Sequence, residues 1–379
     1  MAERSGVGRG PILLAAGGTG GHLFPAEALA GELAARGHRV ELVTDMRAEK
    51  FAGDFPAERI HLVPSATFGG KSPLRLLKTG STLAHGFFKA WSLMRAVQPK
   101  IVVGFGGYPT VPPLMAAALS GQRTIIHEQN GVMGRANRAL AGRVDAIAGG
   151  FLKARGRHAE KIVEVGNPAR PAVLARAGTP YERPQEGGPL RLLVFGGSQG
   201  AQFFSAAVPE AIAQLPAALQ QRLVVTQQAR GEDEERLTAR YAQMSVQADV
   251  ARFFDDLPAH LANAHLVLSR SGASTVNELA IIGRPAILVP LPHALDDDQG
   301  HNAQLLVEAD AALMRRQPAI TRDTLAADLT ALLSDPERLY SMAANAHGVA
   351  RVDATRLLAD LVEAIAAGKS VAAARSEQT

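Results

Sequence analysis

Short apolar runs recur along the chain and set its architecture. In the first half they fall at Ile12–Ala16, Val40–Thr44, Ile60–Val63, Ile101–Gly104, Thr124–His127, Ala146–Ala148 and Ile162–Val165. Helical spacing of apolar residues fills the intervals 26–36, 73–97, 111–120 and 134–141. Near-continuous apolar runs, bounded by turn residues and separated by helices, predict strands buried on both faces of a parallel sheet. A turn-rich stretch, GTPYERPQEGGP at Gly178–Pro189, then interrupts the pattern. Beyond it strands are predicted at Leu192–Phe195, Leu223–Thr226, Val250–Phe253, Leu266–Leu268, Ala286–Val289 and Ala312–Met314. The pattern predicts two open-sheet α/β domains of the same kind, 1–166 and 167–350, with the crossover at Gly166–Asn167–Pro168. A last helix, 352–367, carries Leu357, Leu358, Leu361, Val362 and Ile365 on one side, so it must pack, and the first domain is the expected surface. The tail from Gly368 is expected to be disordered.

Composition narrows the class. The 379 residues are 47% hydrophobic and 20% charged, as in globular enzymes, and contain no cysteine, which removes disulfide and thiolate chemistry and fits a reducing compartment. No secretory signal is expected, because the apolar run after residues 1–10 stops at Ala16 and turns into glycines. The charge-free stretch 101–122 holds Gly104, Gly106, Gly107, Pro109, Pro112 and Pro113, too many breakers for a lipid-exposed span. Charge is asymmetric. Residues 1–166 hold 21 Lys/Arg against 12 Asp/Glu, a net +9, and the remainder nets −5, giving the total of +4. Between Arg59 and His127 there is no acidic residue. Such a field suits an anionic membrane or a phosphate-bearing substrate; no nucleic-acid-binding signature accompanies it.

The candidate chemistry sits in glycine turns at strand ends. The first, AAGGTGGHLFP at 15–25, joins an apolar strand to a helix and contains His22. Leu23 stands where a dinucleotide fingerprint starting at Gly18 needs its third glycine, and no P-loop lysine follows. Taken alone, the loop is either a phosphate cradle or a structural tight turn. The triplet Asp296, Asp297 and Asp298 could suggest a metal site, but a solvated loop is the preferred reading.

Taken together, the loops say more. GGTGGHLFPA at 17–26, GFGGYPT at 104–110, HEQNGVMG at 127–134, GNPAR at 166–170, GGSQGA at 196–201 and SRSGASTVNELA at 269–280 occur in this order. The series closely resembles the MurG family, the N-acetylglucosaminyltransferases of bacterial peptidoglycan assembly, over about residues 11–305. The resemblance implies a GT-B fold, two Rossmann-like open-sheet domains facing across a cleft. It implies inverting transfer of GlcNAc from UDP-GlcNAc to the muramyl 4-hydroxyl of undecaprenyl-diphospho-MurNAc-pentapeptide (lipid I), giving lipid II and UDP. The donor belongs in the second domain and the lipid-linked acceptor in the first. No cofactor and no catalytic metal are expected.

The resemblance also assigns residues. Ser198 would bond a diphosphate oxygen at a helix start, with Ala273, Ser274 and Thr275 close to the diphosphate or sugar. Glu278 would accept from the ribose hydroxyls, Phe254 would touch uracil through its backbone, and Arg170 matches a donor-binding arginine whose alternative is an interdomain ion pair. Gln299 would bind the GlcNAc hydroxyls, although Asp298 replaces a second glutamine of the family. Asn130 would reach the donor sugar. Thr19, Gly20 and Gly21 would line the acceptor diphosphate or donor sugar, and Gly17, Gly18, Gly106, Gly107 and Tyr108 the acceptor. His22 is the candidate base, because an imidazole titrating near neutrality suits removal of the hydroxyl proton; Glu128 is the weaker candidate.

The stretch 68–95 interleaves Leu74, Leu77, Phe87, Phe88 and Trp91 with Lys71, Arg75, Lys78, Lys89 and Arg95. It predicts a helix lying in an anionic interface, against a core helix with a basic side, and the resemblance implies that this interface is the cytoplasmic face of the bacterial inner membrane. The expected partners are UDP-GlcNAc, lipid I, an anionic membrane surface and cell-wall synthesis proteins. A UDP-GlcNAc 2-epimerase of the same fold would not need this stretch.

Overall fold

The computed structural model describes residues 10–17, 20–45, 55–65, 73–292, 294 and 296–377, and excludes the side chains of 20, 73–80, 83 and 197–201. Two compact units result: Met1–Arg170 with Val352–Thr379, and Pro171–Arg351.

The first unit is built on seven parallel strands: β1 (Ile12–Ala15), β2 (Val40–Thr44), β3 (Arg59–Leu62), β4 (Ile101–Gly104), β5 (Arg123–Glu128), β6 (Ala146–Gly149) and β7 (Ile162–Glu164). Their order is β3-β2-β1-β4-β5-β6-β7. β1 is central, with Ile12 in register with Val40 on one side and Ile101 on the other. Period-two alternation sends Ile12 and Leu14 into one apolar layer and Leu13 and Ala15 into the other. Both layers are covered, which is why every residue of β1 and β4 is apolar or glycine and buried.

One covering layer comes from the far end of the chain. The Ala354–Ala366 helix inserts Leu357, Leu358, Leu361, Val362 and Ile365 into the layer containing Leu14, Leu29, Leu33 and Leu42. Arg36 fastens its rim, reaching Asp360 at 2.7 Å and Glu363 at 2.8 Å, while His38 meets Glu363 at 2.7 Å. The expected disorder after Gly368 is corrected. Ser370 caps a further helix, Val371–Ser376, Ala374 is buried, and the Arg375 guanidinium donates to the Ile162 carbonyl at 3.0 Å. A polar, alanine-rich composition hides such an anchor, because its partner lies 213 residues away.

The division between units falls after Arg170, a few residues beyond the Gly166 crossover read from the sequence. The Gly166 amide donates to the Gly149 carbonyl at 3.0 Å, and the Asn167 side-chain amide to the Gln129 carbonyl at 2.9 Å. These bonds tie the start of GNPAR to the first sheet.

The second unit carries β8 (Leu190–Phe195), β9 (Leu223–Gln228), β10 (Gln247–Ala251), β11 (Leu266–Ser269), β12 (Ala286–Leu288) and β13 (Ala312–Met314), all parallel, in the order β10-β9-β8-β11-β12-β13. The strand expected at Val250–Phe253 begins earlier, pairing Gln247–Ala251 with Val224–Gln228. Phe253 lies beyond it and is 74% exposed. In each sheet the order reverses at one place, between β1 and β4 and between β8 and β11. Loops at the carboxyl ends of strands flanking such a switch point form the natural ligand crevice of an open α/β sheet.

Candidate functional site

At the first switch point, the Gly20–Ala35 helix starts inside the glycine loop, earlier than the 26–36 pattern indicated. Gly20 and Gly21 are therefore helical, and His22 rides on the first turn. Opposite it, β4 is followed by Phe105-Gly106-Gly107, with φ of +85° at Gly106 and +74° at Gly107. A Cβ on Gly106 would stand 3.3 Å from His22 Cε1, and one on Gly107 would stand 3.3 Å from His22 Cδ2. The two glycines thus give the imidazole a close-fitting backbone bed that a side chain would crowd, in a conformation L residues rarely adopt. Thr110 closes the turn, its hydroxyl donating to the Gly107 carbonyl at 2.8 Å. Gly17 is equally confined: a Cβ there would lie 3.1 Å from Pro109 and from Thr44 Oγ1. Burial lowers the His22 pKa from its ordinary value, opposed by the Glu128 charge, the Gln129 side chain and the Phe105 carbonyl.

The end of β5 supplies HEQN. His127 is fully buried, and its Nε2–H donates to the Gly166 carbonyl at 3.1 Å. Burial holds its pKa down at about 4, and the nearby His22 pushes it the same way. Glu128 is 1% exposed and satisfied on both oxygens. Oε1 accepts from the Asn130 backbone at 3.1 Å and side chain at 2.9 Å; Oε2 accepts from Gly134 N and Asn137 Nδ2, both at 2.9 Å. A carboxylate so engaged is better fitted to organise the loop than to collect a proton. Gln129 Nε2 donates to the Phe105 carbonyl at 2.9 Å, linking β5 to the His22 bed. Arg170 stacks its guanidinium on Phe24, 4.3 Å from the ring centroid, in a cation–π contact inside the first unit.

At the second switch point, Gly196 caps the Gly197–Ile212 helix, with Ser198 in its first turn. Beside it Gly272 caps the Ala273–Ile282 helix, which places Ala273, Ser274 and Thr275 in the first turn. Both helix starts therefore meet at adjacent strand ends, β8 and β11, where unpaired backbone N–H groups favour anions. Glu278 lies in the second turn of the latter helix and is buried. Beneath runs Arg270, 6% exposed, donating to the carbonyls of Val289 at 3.1 Å and Pro290 at 3.2 Å and to Gln317 at 2.6 Å. Its guanidinium lies 5.1 Å from the Phe204 ring centroid, and burial lowers its pKa to about 10. Gln299 accepts from Leu291 N at 2.9 Å through its carbonyl oxygen, so its amide N–H groups are what it can offer a hydroxyl. Of the aspartate triplet, Asp297 makes a two-point ion pair with Arg316 and Asp298 accepts from Gln299 N at 2.9 Å. Among the described residues there is no group of three or more His, Cys, Asp or Glu able to hold a metal ion. Phe254 packs against His260, ring centroids 4.7 Å apart.

The first unit thus gathers Gly17, His22, Gly106, Gly107, Glu128 and Asn130, with Tyr108 in the adjoining single turn Tyr108–Thr110. The second gathers Ser198 and Ala273–Thr275. Gly18, Thr19 and Lys71 lie outside the described residues, as do the side chains of Ser198, Leu74, Arg75, Leu77 and Lys78. Sequence reasoning quoted HEQN and SRSG but passed over Gln129, Asn137 and Arg270. Their roles depend on contacts with Phe105, His127 and Val289, which spacing along the chain does not reveal.

The basic, aromatic helix Pro73–Val97 divides differently from the expectation. Ala90 and Met94 are core, and Phe87 and Trp91 pack partly buried against it. Phe88 is 69% exposed, with Lys89 exposed beside it. The helical repeat turns Gly86, Ala90 and Met94 inward, which leaves Phe88 as the outward aromatic.

Two doubly wound parallel domains, each with a glycine turn at its switch point, are the architecture of the GT-B class. Residues 12–149 match the N-terminal domain of glycosyltransferase family 28 and residues 191–358 its C-terminal domain. The UDP-N-acetylglucosamine–N-acetylmuramyl-(pentapeptide) pyrophosphoryl-undecaprenol N-acetylglucosamine transferase of Sinorhizobium fredii is 57% identical over 96% of this chain and 98% of its own. The same-named protein of Chelativorans sp. is 56% identical over 95% and 96%. The crystal structure of Acinetobacter baumannii MurG superposes with a TM-score of 0.76 at 28% identity, covering 93% of this chain and 99% of that one. The chain belongs to the MurG family within glycosyltransferase family 28.

Proposed function

We infer that this protein transfers GlcNAc from UDP-GlcNAc to the muramyl 4-hydroxyl of lipid I, releasing UDP and producing lipid II. Near-full-length identity to transferases named for that reaction carries the reading. The two switch points divide the chemistry. In the second unit the paired starts of the Gly197–Ile212 and Ala273–Ile282 helices receive the donor diphosphate, with Ser198, Ser274 and Thr275 at hand and Glu278 on the ribose. Phe254 meets the uracil, and Gln299 serves the sugar. Charge forming on departing UDP is then held by fixed backbone dipoles, which makes a metal unnecessary for leaving-group departure. In the first unit Gly17, Gly18, Thr19, Gly20 and Gly21 with Gly106, Gly107 and Tyr108 receive the acceptor, and His22 takes the 4-hydroxyl proton as O4 attacks the anomeric carbon. Glu128 holds the HEQN loop.

Phe88 and Lys89, on the outward side of the Pro73–Val97 helix, bring the protein to an anionic lipid surface, where lipid I resides. No helix among the described residues is long and apolar enough to cross a membrane.

Purified protein incubated with labelled UDP-GlcNAc and a detergent-solubilised lipid I analogue should yield labelled disaccharide lipid. No product from folded, UDP-binding protein would overturn the assignment. Turnover should survive EDTA; its loss, with rescue by added Mg²⁺, would reinstate a metal. Phe88→Asp should reduce sedimentation with phosphatidylglycerol vesicles, and unchanged binding would remove the membrane face.

A further inference from the structure

The imidazole of His22 presents its two nitrogens to different surroundings. Nδ1 lies on the Gly106 side, 3.5 Å from that glycine's Cβ position, and Nε2 on the Gly107 side, 3.4 Å from its Cβ position. Nδ1 is buried and makes no hydrogen bond of standard geometry among the described residues. Two groups beside the ring, the Phe105 carbonyl and the Gln129 side chain, favour its protonated form. The Phe105 carbonyl can only accept. Because Gln129 Nε2 donates to that carbonyl at 2.9 Å, the amide orientation is fixed, and Gln129 Oε1 is left buried and also unpaired. His127 donates through Nε2 to the Gly166 carbonyl, so its Nδ1, buried and unpaired, is a bare lone pair. Asn137 Nδ2, which also lies on the Gly106 side at 3.4 Å from that glycine's Cβ position, spends its hydrogens on the His127 carbonyl at 3.1 Å and on Glu128 at 2.9 Å. With that donor committed elsewhere, a buried nitrogen beside accepting groups is satisfied by carrying a hydrogen.

We propose that Gln129 is the positioning residue of the reaction: its Oε1 takes the Nδ1–H of His22, fixing that tautomer and leaving the Nε2 lone pair as the base. The proposal rests on the reading of His22 as base. In the step, the 4-hydroxyl proton passes to Nε2 while O4 forms its bond to the anomeric carbon. The anomeric carbon–oxygen bond to UDP breaks, its electron pair leaving on the diphosphate. The imidazolium keeps its Nδ1–H on Gln129 throughout and gives up the Nε2 proton to solvent after UDP departs. A neutral amide orients the ring without the large rise in basicity a carboxylate would impose. The titratable groups coupled to His22 are Glu128, whose charge favours the imidazolium, and His127, whose own pKa the His22 charge pushes down.

Long-range ¹H–¹⁵N correlation spectra of the full-length protein at pH 8, with His22 assigned by loss of its signals in His22→Asn, read the tautomer directly. The expected pattern is a protonated Nδ1 and a bare Nε2; the reverse pattern overturns the proposal. Gln129→Leu should scramble the tautomer and lower kcat roughly tenfold to a hundredfold, with KM for UDP-GlcNAc within about twofold. Unchanged tautomer and kcat in that variant would also overturn it. Gln129→Glu should keep the tautomer and raise the pKa of the acidic limb of kcat/KM by about one unit or more. An unmoved limb counts against the contact, even if Gln129→Leu fails to fold. Retained turnover in His22→Ala, with the Nδ1–H tautomer present in the native protein, would instead remove the base reading and leave the hydrogen bond standing.

Discussion

The two switch points share a backbone plan and differ in what lies beneath it. In both, a glycine turn leads from a central strand into a helix, and the neighbouring strand ends at its side. Under the first turn the neighbouring strand ends in two left-handed glycines pressed on an imidazole, backed by a fully bonded carboxylate. Under the second, the neighbouring strand ends in a buried arginine held by carbonyls, with a second helix start directly above. One arrangement holds an imidazole against backbone and lowers its pKa by burial, and the other sets a buried guanidinium at the end of β11 beside two helix starts. The same fold therefore yields two unlike half-sites from the residue that follows one strand: Phe105 and two glycines after β4, Arg270 after β11.

If that division holds, perturbing one half-site should leave the other's readout unmoved. The largest separation is expected for His22→Ala, which should lower turnover by about a thousandfold while changing UDP affinity little. Kinetics with calorimetric UDP titration checks this, and a comparable loss of UDP binding would collapse the distinction. Glu128→Gln comes next. All four groups bonded to Glu128 are N–H donors, so an amide NH₂ would face two of them. The first unit should lose roughly 2–4 kcal/mol of stability, read by denaturant unfolding, with UDP affinity again unaffected. Gly106→Ala should cost roughly tenfold to a hundredfold in kcat, because the added Cβ meets His22 and the backbone is strained. If its turnover equals that of the native chain, the glycine bed has no role.

The smallest effect is electrostatic. The pKa of His127, held near 4 by burial, lies below that of an unfolded histidine. Between about pH 6.5 and 4 the unfolded chain binds the extra proton, so the stability this group contributes is full above that window and lost as pH falls through it. By pH 5 the loss should reach roughly 2 kcal/mol, and His127→Gln should flatten the slope. An unchanged slope would show that another group controls acid sensitivity.

Much of this was legible beforehand because burial on both faces writes a strand as a contiguous apolar word. β2, β4 and β13 have the limits their apolar runs indicate. β10 was misplaced because its residues are half-exposed or exposed, so Val250–Phe253 outweighed the true register against β9. The helix at Gly20 was read late because glycines carry no hydrophobic period. The glycine motifs fall at both switch points. What they could not supply was the partnering of Gln129, since a hydrogen bond to Phe105 joins residues 24 positions apart.

The Ala354–Ala366 helix has a consequence for how the chain is made. It supplies a wall of the first unit's core, yet the whole second unit is translated before it. At roughly 5–20 residues per second, the nascent first unit waits about ten to forty seconds with Leu14, Leu33 and Leu42 uncovered on that side. The first part of the protein to leave the ribosome is thus the last to be completed. A chain stopped short of Ala354 would release a unit with its apolar face open, a substrate for chaperones or aggregation.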